Sequence, residues 1–378
     1  MSDSYDRDNP FLAAVKERSH LCAPESGKQT LHIVLDLAGS GMTYAVGDSI
    51  AVQPYNHDEL VAKTLEALRM HGDEEVCDLR RQETLPLQEM LKKRVNLSDV
   101  NRKLLKVIAD RQSDENKKQQ LHYLFESENR DQLKRYLAER ELWDVLLENG
   151  EVQFSSQELV EMTTPLLPRF YSIASSLSHF DDEVHLTVAR VIYESGGHPR
   201  LGICTNYLCD HVPLHQPVVP VYIQPHKGFT IPEDGNADMI MIGPGTGVAP
   251  FRAFMQERLA TGAAGRNWLF FGEWTRKDHF LYGDYWTDLQ KEGKLKLDLA
   301  FSRDQPEKVY VQHRMLENSE ELYRWIQGGA YVYVCGDANY MAKDVESALV
   351  NIFEQHGHDG MATVKQLRKE KRYLRDVY

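Results

Sequence analysis

The chain has 378 residues, of which 42% are hydrophobic, 10% aromatic and 27% charged, which is the composition of a folded protein rather than a disordered one. This length exceeds one ordinary core and predicts two or three domains of about 100–200 residues each. The formal net charge of −13, with no basic block against it, argues against a nucleic-acid binder and favours partners with basic contact faces.

Neither a membrane segment nor a secretion signal is predicted. No apolar run approaches the roughly 20 residues of a membrane helix, and MSDSYDRDNPF lacks the basic-then-apolar order of a signal peptide. The five cysteines are scattered and odd in number, so a reducing cytosol is expected rather than a disulfide framework. Cys209, His211 and His215 are close in sequence, but Pro213 interrupts them and no paired ligands follow, so no metal site is predicted.

The first predicted elements are strands, followed by helices. LHIVLDL is rich in β-formers, and Gly39 and Gly41 interrupt it. From residue 58 to 149 there is one glycine and one proline, and apolar residues recur at helical spacing. In DELVAKTLEALRMHG, Asn56 or Asp58 is expected to cap a helix and Gly72 to end it. We therefore expect an all-helical block between segments of β structure.

Strand signals return after this block. EVHLTVARVIY alternates, with Val184, Leu186 and Val188 directed inward. PVVPVYIQP carries three prolines, which fits an edge strand or a barrel rim better than a central strand. An antiparallel β unit is thus predicted to be interrupted by helices and then resumed.

From residue 238 onward the pattern is that of a parallel sheet. MIMIG, WLFFG, LDLAFS and YVYVCG are short, continuously apolar runs separated by helical stretches. Continuously apolar strands that alternate with helices indicate a sheet covered on both faces.

One of these strands runs into a glycine-rich loop. MIMIGPGTGVAPFRAF places Gly243, Gly245 and Gly247 before a helix that begins near Ala249. Glycine lets the backbone approach a ligand, and the N–H groups of a helix start attract a diphosphate. The spacing is G-x-G-x-G rather than the usual dinucleotide fingerprint, and a tight turn without a ligand is the alternative. The strand–loop–helix context favours the phosphate interpretation.

A second stretch favours NADPH over NADH. LAFSRDQPEKVYVQ follows an apolar strand and offers a hydroxyl, a guanidinium, an ammonium and a phenol from Ser302, Arg303, Lys308 and Tyr310. These are groups that hold a 2′-phosphate, whereas NAD sites carry an acidic residue on the ribose.

A third stretch, RFYSIASS, is weaker evidence on its own. Arg169 could neutralise a diphosphate, Tyr171 could lie on a ring system, and Ser172 could hydrogen-bond to that ring system. Tyr171 could equally be a core residue. GICTNYL is a possible partner, because Gly202, Cys204 and Thr205 could open a helix toward a second diphosphate.

Taken together, these motifs resemble the ferredoxin–NADP reductase superfamily. RFYSIASS, GICTNYL, MIGPGTGVAPFRAFMQ, NWLFFG, SRDQPEKVYVQ, YVCGDANYMAKDVE and RYLRDVY are similar to those of the diflavin reductases, most closely the flavoprotein (alpha) subunits of NADPH–sulfite reductases. The resemblance implies a multidomain α/β plus β chain. An antiparallel FAD-binding β-barrel (9–56 and 150–232) would carry a helical connecting domain (57–149), and a Rossmann-like parallel-sheet NADP-binding domain (233–378) would follow.

The resemblance also implies roles for individual residues. Ser172, Cys335 and Asp376 match the polar group beside the flavin N5 that assists hydride transfer, although a small buried cysteine such as Cys335 is usually packing. The implied FAD contacts are Arg169, Phe170, Tyr171, Ser172, Thr187, Val188, Ala189, Tyr193, Gly202, Ile203, Cys204, Thr205 and Tyr378. The implied NADP contacts are Gly245, Thr246, Arg252, Ser302, Arg303, Lys308, Val309, Tyr310, Val311, Gln312 and Asp344.

Tyr378 is expected to stack on the flavin ring at the place that the nicotinamide must take, and so to act as a gate. Diflavin reductases carry a flavodoxin-like FMN domain ahead of this region, and fewer than ten residues precede NPF here. This leaves two alternatives, a free-standing FAD module or a part of a longer chain. In either case we expect an FMN-domain or flavodoxin-type acceptor, a sirohaem sulfite reductase subunit beyond it, and a monomeric state for this chain alone. A free-standing ferredoxin or flavodoxin reductase and a non-catalytic FAD-binding scaffold are the alternatives.

Overall fold

The computed structural model describes residues 5–378. Its strands are β1 Phe11–His20, β2 Thr30–Asp36, β3 Ser49–Val52, β4 Glu75–Asp78, β5 Glu83–Pro86, β6 Arg169–Ser172, β7 Glu183–Ala189, β8 Ile192–Ser195, β9 His198–Leu201, β10 Pro217–Gln224, β11 Met239–Ile242, β12 Asn267–Glu273, β13 Lys296–Phe301, β14 Tyr331–Gly336 and β15 Tyr373–Val377.

Its α-helices are α1 Asp58–Leu68, α2 Leu87–Lys93, α3 Arg102–Arg111, α4 Glu115–Leu124, α5 Arg130–Ala138, α6 Leu142–Glu148, α7 Ser156–Met162, α8 Ile203–Asn206, α9 Ala249–Ala260, α10 Arg276–His279, α11 Gly283–Lys291, α12 Val311–Glu317, α13 Ser319–Gln327, α14 Met341–Gln355 and α15 Gly360–Lys369. Short 3-10 turns at Ser127–Asn129 and Gly245–Val248 and a π turn at Tyr207–His211 complete the helical structure.

The chain forms two compact units. The first consists of the segments up to Ala51, Phe170–Arg190 and Pro213–Tyr378, and the second of Val52–Arg169 and Val191–Val212. The three domain ranges predicted from the sequence stay a prediction. No helix of residues 5–378 is both long enough and apolar enough to cross a bilayer.

The antiparallel sheet has the strand order β6-β3-β10-β1-β2-β7. The segment that follows β6 turns back to β7, where the N–H of Ala174 donates to the carbonyl of His185 at 2.8 Å. The two ends of the sheet are therefore joined, which confirms the predicted antiparallel barrel.

Two alternatives were predicted for PVVPVYIQP, an edge strand and a barrel rim, and the edge strand is wrong. This strand, β10, lies between β3 and β1, with Pro220 opposite Leu12 and a register shift where Ala14 meets Pro217. Successive N–H groups of an antiparallel strand point to alternate neighbours, so one proline removes a bond to only one of them. The strand keeps its place because the bulge absorbs the irregularity.

The second unit is built mainly from helices α1–α7. Its core is a cluster of buried apolar side chains that includes Leu104, Leu105, Ile108 and Leu142. The insertion is not all-helical, however, because β4 and β5 form an antiparallel hairpin within it. Val76 on β4 is buried, but strands of four residues are too short to register as an alternating pattern.

The parallel sheet of the first unit has the order β13-β12-β11-β14-β15, and every neighbouring pair is parallel. Along β11, Ile240 and Ile242 join one apolar cluster while Met239 and Met241 join another. Both faces are therefore covered, as the continuously apolar runs predicted. The Rossmann-like fold class is confirmed.

Candidate functional site

A cleft of about 550 Å³ lies at the carboxyl edge of the parallel sheet. Strand ends of β11, β12, β13 and β14 lead into it, and this edge is where open α/β sheets bind their ligands. It brings together eight of the predicted NADP residues: Gly245, Ser302, Arg303, Lys308, Tyr310, Val311, Gln312 and Asp344.

The three loop glycines have different tasks. A Cβ on Gly247 would lie 2.1 Å from the carbonyl oxygen of Cys335, and one on Gly243 would lie 2.5 Å from that of Gly247. These two glycines let the loop pack closely against itself and β14. Gly245 has φ +58° and lines the cleft, so it is the glycine that brings backbone to a ligand.

The cations of the cleft are available to an anion. Arg303 and Lys308 are exposed, and neither has a carboxylate partner among residues 5–378. The guanidinium carbon of Arg303 lies 3.5 Å from the ring centroid of Trp274, which fixes its plane by a cation–π contact. In a chain of net charge −13, two unpaired cations in one cleft fit a phosphate group.

Sequence reasoning missed several residues of the cleft. Lys28, from the β1–β2 loop, enters it and forms an ion pair with Glu273, and nothing in the local sequence signals that contact. Asp337 accepts hydrogen bonds from the backbone N–H groups of Tyr340 at 2.6 Å and Met341 at 3.1 Å, and these bonds lower its pKa. An acidic residue just before a helix is a recognisable start signal, so Asp337 could have been found.

Three predicted NADP residues lie outside the cleft lining. The Thr246 hydroxyl is hydrogen-bonded to the Tyr378 phenol at 2.9 Å, and Val309 packs against the apolar cluster of one sheet face. Arg252 donates to the carbonyl of Ala174 at 2.7 Å and to Nδ1 of His185 at 3.1 Å. Its guanidinium therefore holds the antiparallel barrel against helix α9.

This contact fixes the protonation of His185. Because Arg252 donates to Nδ1, the proton of the neutral ring lies on Nε2, which donates to Glu183 at 3.0 Å. Burial lowers the pKa of His185 and lowers that of the neighbouring His32 to about 3. Both rings are therefore neutral near pH 7.

A second cluster joins the three predicted catalytic residues. Cys335 on β14 is the register partner of Asp376 on β15, and the Ser172 hydroxyl donates to Asp376 at 2.7 Å. The Cys335 thiol lies 3.9 Å from the same carboxylate oxygen. Burial, reinforced by Asp376, raises the pKa of Cys335 well above its usual value, so the sulfur stays a neutral thiol.

His226 is an unpredicted neighbour of this cluster. Its Nε2 lies 3.9 Å from the other carboxylate oxygen of Asp376, and its backbone N–H donates to Asp48 at 2.9 Å. No motif in the sequence pointed to it, because it lies in the loop after β10.

Tyr378 is fixed at its backbone and its phenol. Its N–H donates to the carbonyl of Gly336, and its own carbonyl accepts from Ala338, both at 3.1 Å. The side chain is nevertheless 59% exposed. An aromatic ring that is held in place yet open to solvent on this scale fits a flat ligand.

The other flavin candidates occur on both units. On the first unit, Phe170 is half exposed, whereas Val188 is fully buried and Thr187 is bonded to the Tyr282 phenol at 2.8 Å. Tyr171, Ser172 and Ala189 complete this group, at the ends of β6 and β7.

On the second unit, Tyr193 is 46% exposed on the β8–β9 hairpin. Arg169 begins β6, and Gly202 caps α8, which contains Ile203, Cys204 and Thr205. The Thr205 hydroxyl accepts from the N–H of Val191 and donates to the carbonyl of Gly202, both at 3.1 Å. The predicted helix start at Gly202 is present.

Among residues 5–378 no group of three or more His, Cys, Asp or Glu side chains is placed to hold a metal ion. None of the five cysteines forms a disulfide bond.

The barrel, the parallel sheet and the cleft together define a flavin- and dinucleotide-binding oxidoreductase, and the chain belongs to the FAD binding domain family, whose model matches residues 3–207. The model of the oxidoreductase NAD-binding domain matches residues 241–347. FAD and a nicotinamide dinucleotide are therefore its cofactors.

The chain is similar to several proteins named sulfite reductase (NADPH) flavoprotein alpha-component. It is 42% identical to that of Bacillus subtilis over 99% of this chain and 62% of the relative. The relative from Vibrio cholerae El Tor Inaba is 43% identical over 99% and 60%, and that from Aliivibrio fischeri 41% over 100% and 62%. The chain thus spans about 60% of the length of these relatives, and the predicted resemblance is confirmed.

Proposed function

We propose that this chain is the FAD- and NADPH-binding part of an NADPH-dependent flavoprotein reductase. The observation that carries the proposal is the cleft at the carboxyl edge of the parallel sheet, where Arg303 and Lys308 have no carboxylate partner within residues 5–378. FAD, when bound, supplies the chemistry: it accepts a hydride from NADPH and gives the electrons up one at a time.

The residues of the cleft hold the dinucleotide. Gly245 presents backbone to the diphosphate, while Ser302, Arg303, Lys308 and Tyr310 bind the 2′-phosphate. Val311, Gln312 and Asp344 line the same cleft, and the Gln312 amide donates to Asp344 at 3.2 Å. Lys28 joins this set, because it is the only cation besides Arg303 and Lys308 in the cleft lining of the described chain.

The cluster of Ser172, Cys335 and Asp376 serves hydride transfer. Asp376 orients the Ser172 hydroxyl, and the neutral Cys335 thiol packs beside that carboxylate. Because the Ser172 proton is directed at Asp376, the hydroxyl offers its oxygen lone pairs, as a hydrogen-bond acceptor, to a reacting group. The Thr246–Tyr378 hydrogen bond holds the exposed ring of Tyr378 in its closed position, and this bond must break for the gate to open.

The acceptor follows from the relatives. These relatives are named as flavoprotein alpha-components of sulfite reductase, so we infer a flavin-bearing acceptor of FMN or flavodoxin type and a sirohaem sulfite reductase subunit as the final partner. The cytosol fits a chain whose five cysteines form no disulfide bond.

The test is anaerobic mixing of the FAD-loaded protein with NADPH, and separately with NADH, while flavin absorbance is followed. We expect fast bleaching by NADPH and slow bleaching by NADH.

Arg303→Ala should raise the KM for NADPH about 10- to 100-fold and change the KM for NADH little, because a charge-assisted contact to the 2′-phosphate is lost.

The matched control is Arg276→Ala, an exposed arginine that also lies over aromatic rings, at 5.2 Å from the Phe301 centroid, but outside the cleft. It should leave both KM values unchanged. A protein that binds FAD but bleaches with neither nucleotide would be a scaffold, and the proposed function would be wrong.

A further inference from the structure

A second large cavity lies at the opposite edge of the parallel sheet. It has a volume of about 540 Å³ and is lined by the loops that lead into β12 and β13 and by residues of α9 and α13. Since β12 is seven residues long, this edge is about 20 Å from the dinucleotide cleft. Cavities that hold small ligands are typically of this size.

The lining of this cavity is one-sided in charge. Arg258, Arg266, Lys294 and Lys296 line it, and no aspartate or glutamate of the described residues does. Such a lining is unexpected in a chain of net charge −13. Its field attracts anions from solution.

Two of the four cations are already paired. Arg266 donates to Asp238 at 2.6 Å and lies over the Trp325 ring at 4.0 Å. Lys296 pairs with Glu321, and its ammonium lies 3.7 Å from the Trp268 ring centroid. These contacts hold both side chains at the cavity wall.

The other two cations have no carboxylate partner within residues 5–378. Lys294 is exposed and extends from the loop before β13. Arg258 is only 2% exposed, and its Nη2 donates to the carbonyls of Ala237 at 3.0 Å and Gly265 at 2.7 Å.

The guanidinium of Arg258 is incompletely satisfied. Its Nε and Nη1 are buried without a hydrogen-bond partner in the described chain. Burial also lowers the pKa of Arg258. A buried cation with no carboxylate in direct contact destabilises the fold, and an anion in the adjoining cavity would add to the through-space attraction of Asp238 and Asp234.

We propose that this cavity is a binding site for a phosphate dianion, either free or as the phosphate monoester of a small molecule. Lys294 and the edges of Arg266 and Lys296 supply the donors that touch the anion, and Arg258 supplies a fixed charge behind them. Phosphate is the matching class because arginine and lysine donors bind its several oxygens at once.

The experiment is isothermal calorimetry of the FAD-loaded protein in a phosphate-free buffer of constant chloride concentration. NADP⁺ is present at saturation so that the dinucleotide cleft is filled. The probes are inorganic phosphate, adenosine 5′-monophosphate and uncharged adenosine. The variants are Lys294→Met, Lys308→Met for the dinucleotide cleft, and Lys277→Met as an exposed lysine that lines neither cavity.

We expect phosphate to bind the wild type, Lys308→Met and Lys277→Met equally, and Lys294→Met about tenfold more weakly. If adenosine 5′-monophosphate binds more tightly than inorganic phosphate and adenosine does not bind, the ligand is a phosphate ester. If adenosine 5′-monophosphate and inorganic phosphate bind with equal affinity, the ligand is free phosphate. The proposal is overturned if neither probe binds, if Lys294→Met binds as the wild type does, or if Lys308→Met alone loses binding.

Discussion

At the scale of single residues, the cluster around Asp376 depends on strand register. Parallel pairing of β14 with β15 sets Cys335 opposite Asp376, and β6 brings Ser172 to hydrogen-bond distance of the same carboxylate. Three short motifs that are far apart in sequence thus meet at one carboxylate. The fold, rather than any of the motifs, creates the site.

Removing the Ser172 hydroxyl tests that site. Ser172→Ala should slow bleaching of the bound flavin by NADPH about 10- to 100-fold, because the reacting atoms lose a positioned polar group. The measurement is anaerobic stopped-flow absorbance on protein with full FAD content. Ser113→Ala is the matched control, since the Ser113 hydroxyl also donates to a carboxylate, that of Glu151 at 3.0 Å, in the second unit. An unchanged bleaching rate in Ser172→Ala would contradict the assigned role.

The dinucleotide residues that sequence reasoning found are those that one loop presents together. Ser302, Arg303, Lys308 and Tyr310 follow a single strand, and the cleft contains all four. Lys28 could not be found in this way, because its partner Glu273 is 245 residues away. Arg252 shows a related limit: its Nη1 donates to Ala174 and His185, contacts that the sequence did not predict, and its nucleotide contact stays a prediction.

At the scale of elements, periodicity located helices better than it located their ends. Helix α1 was predicted, but His57 caps it and Arg69 ends it in a left-handed conformation with φ 58°. Asn56, one of the expected caps, instead donates from its buried amide to the carbonyls of Leu91 and Val95. These hydrogen bonds join Asn56 to residues that are distant in sequence, so a capping rule based on neighbouring residues could not predict them.

Strand β7 shows a related limit. Its alternation predicted one apolar face, formed by Val184, Leu186 and Val188, and all three are fully buried. His185 and Thr187 on the other face are buried as well, because Arg252 and Tyr282 of the same unit cover them. A polar residue in an alternating strand was therefore not a reliable sign of a solvent-exposed face.

The buried histidines of β2 and β7 make the first unit sensitive to acid. The pKa of His32 is about 3 in the folded chain because burial lowers it, and it is about 6.5 in the unfolded chain. The contribution of neutral His32 to the free energy of unfolding is fully present above pH 6.5 and is lost as the pH falls toward 3. It is lost because His32 takes up a proton in the unfolded chain at a higher pH than in the folded chain. Between pH 7 and pH 5, His32 alone should lower the free energy of unfolding by about 2 kcal/mol.

Denaturant unfolding of His32→Gln and wild type at several pH values measures this effect. The free energy of unfolding of His32→Gln should fall less steeply between pH 7 and pH 5 than that of the wild type, since glutamine does not titrate. His71→Gln, at an exposed histidine of the second unit, should keep the slope of the wild type. Parallel curves for His32→Gln and wild type would show that His32 is not the group responsible.

At the scale of the whole molecule, the sequence predicted the main architecture, and its three domain ranges stay a prediction. The change from strand patterns to helical patterns and back predicted a β unit interrupted by an insertion, and the structure contains both. The two compact units, however, do not follow that change residue by residue, since Val191–Val212 joins the helical segment. Arg200 is buried and paired with Glu141 and Asp144. These long-range ion pairs connect the β8–β9 hairpin to the helical segment of the second unit, and the local sequence pattern does not reveal them.

Each unit has its own apolar core, and this arrangement predicts separable stability. Leu105 is fully buried in the helical core of the second unit, and Ile242 is fully buried in the parallel sheet of the first. Truncation of either to alanine should cost about 3 kcal/mol of the free energy of unfolding of its own unit.

Hydrogen exchange measured by mass spectrometry on the full chain should then show lost protection in α3 and α6 for Leu105→Ala, and in β11 and β14 for Ile242→Ala. NADP⁺ affinity should fall only in Ile242→Ala, because the cleft residues all belong to the first unit. Equal loss of protection across both units in either variant would instead mean that the chain unfolds as one cooperative body.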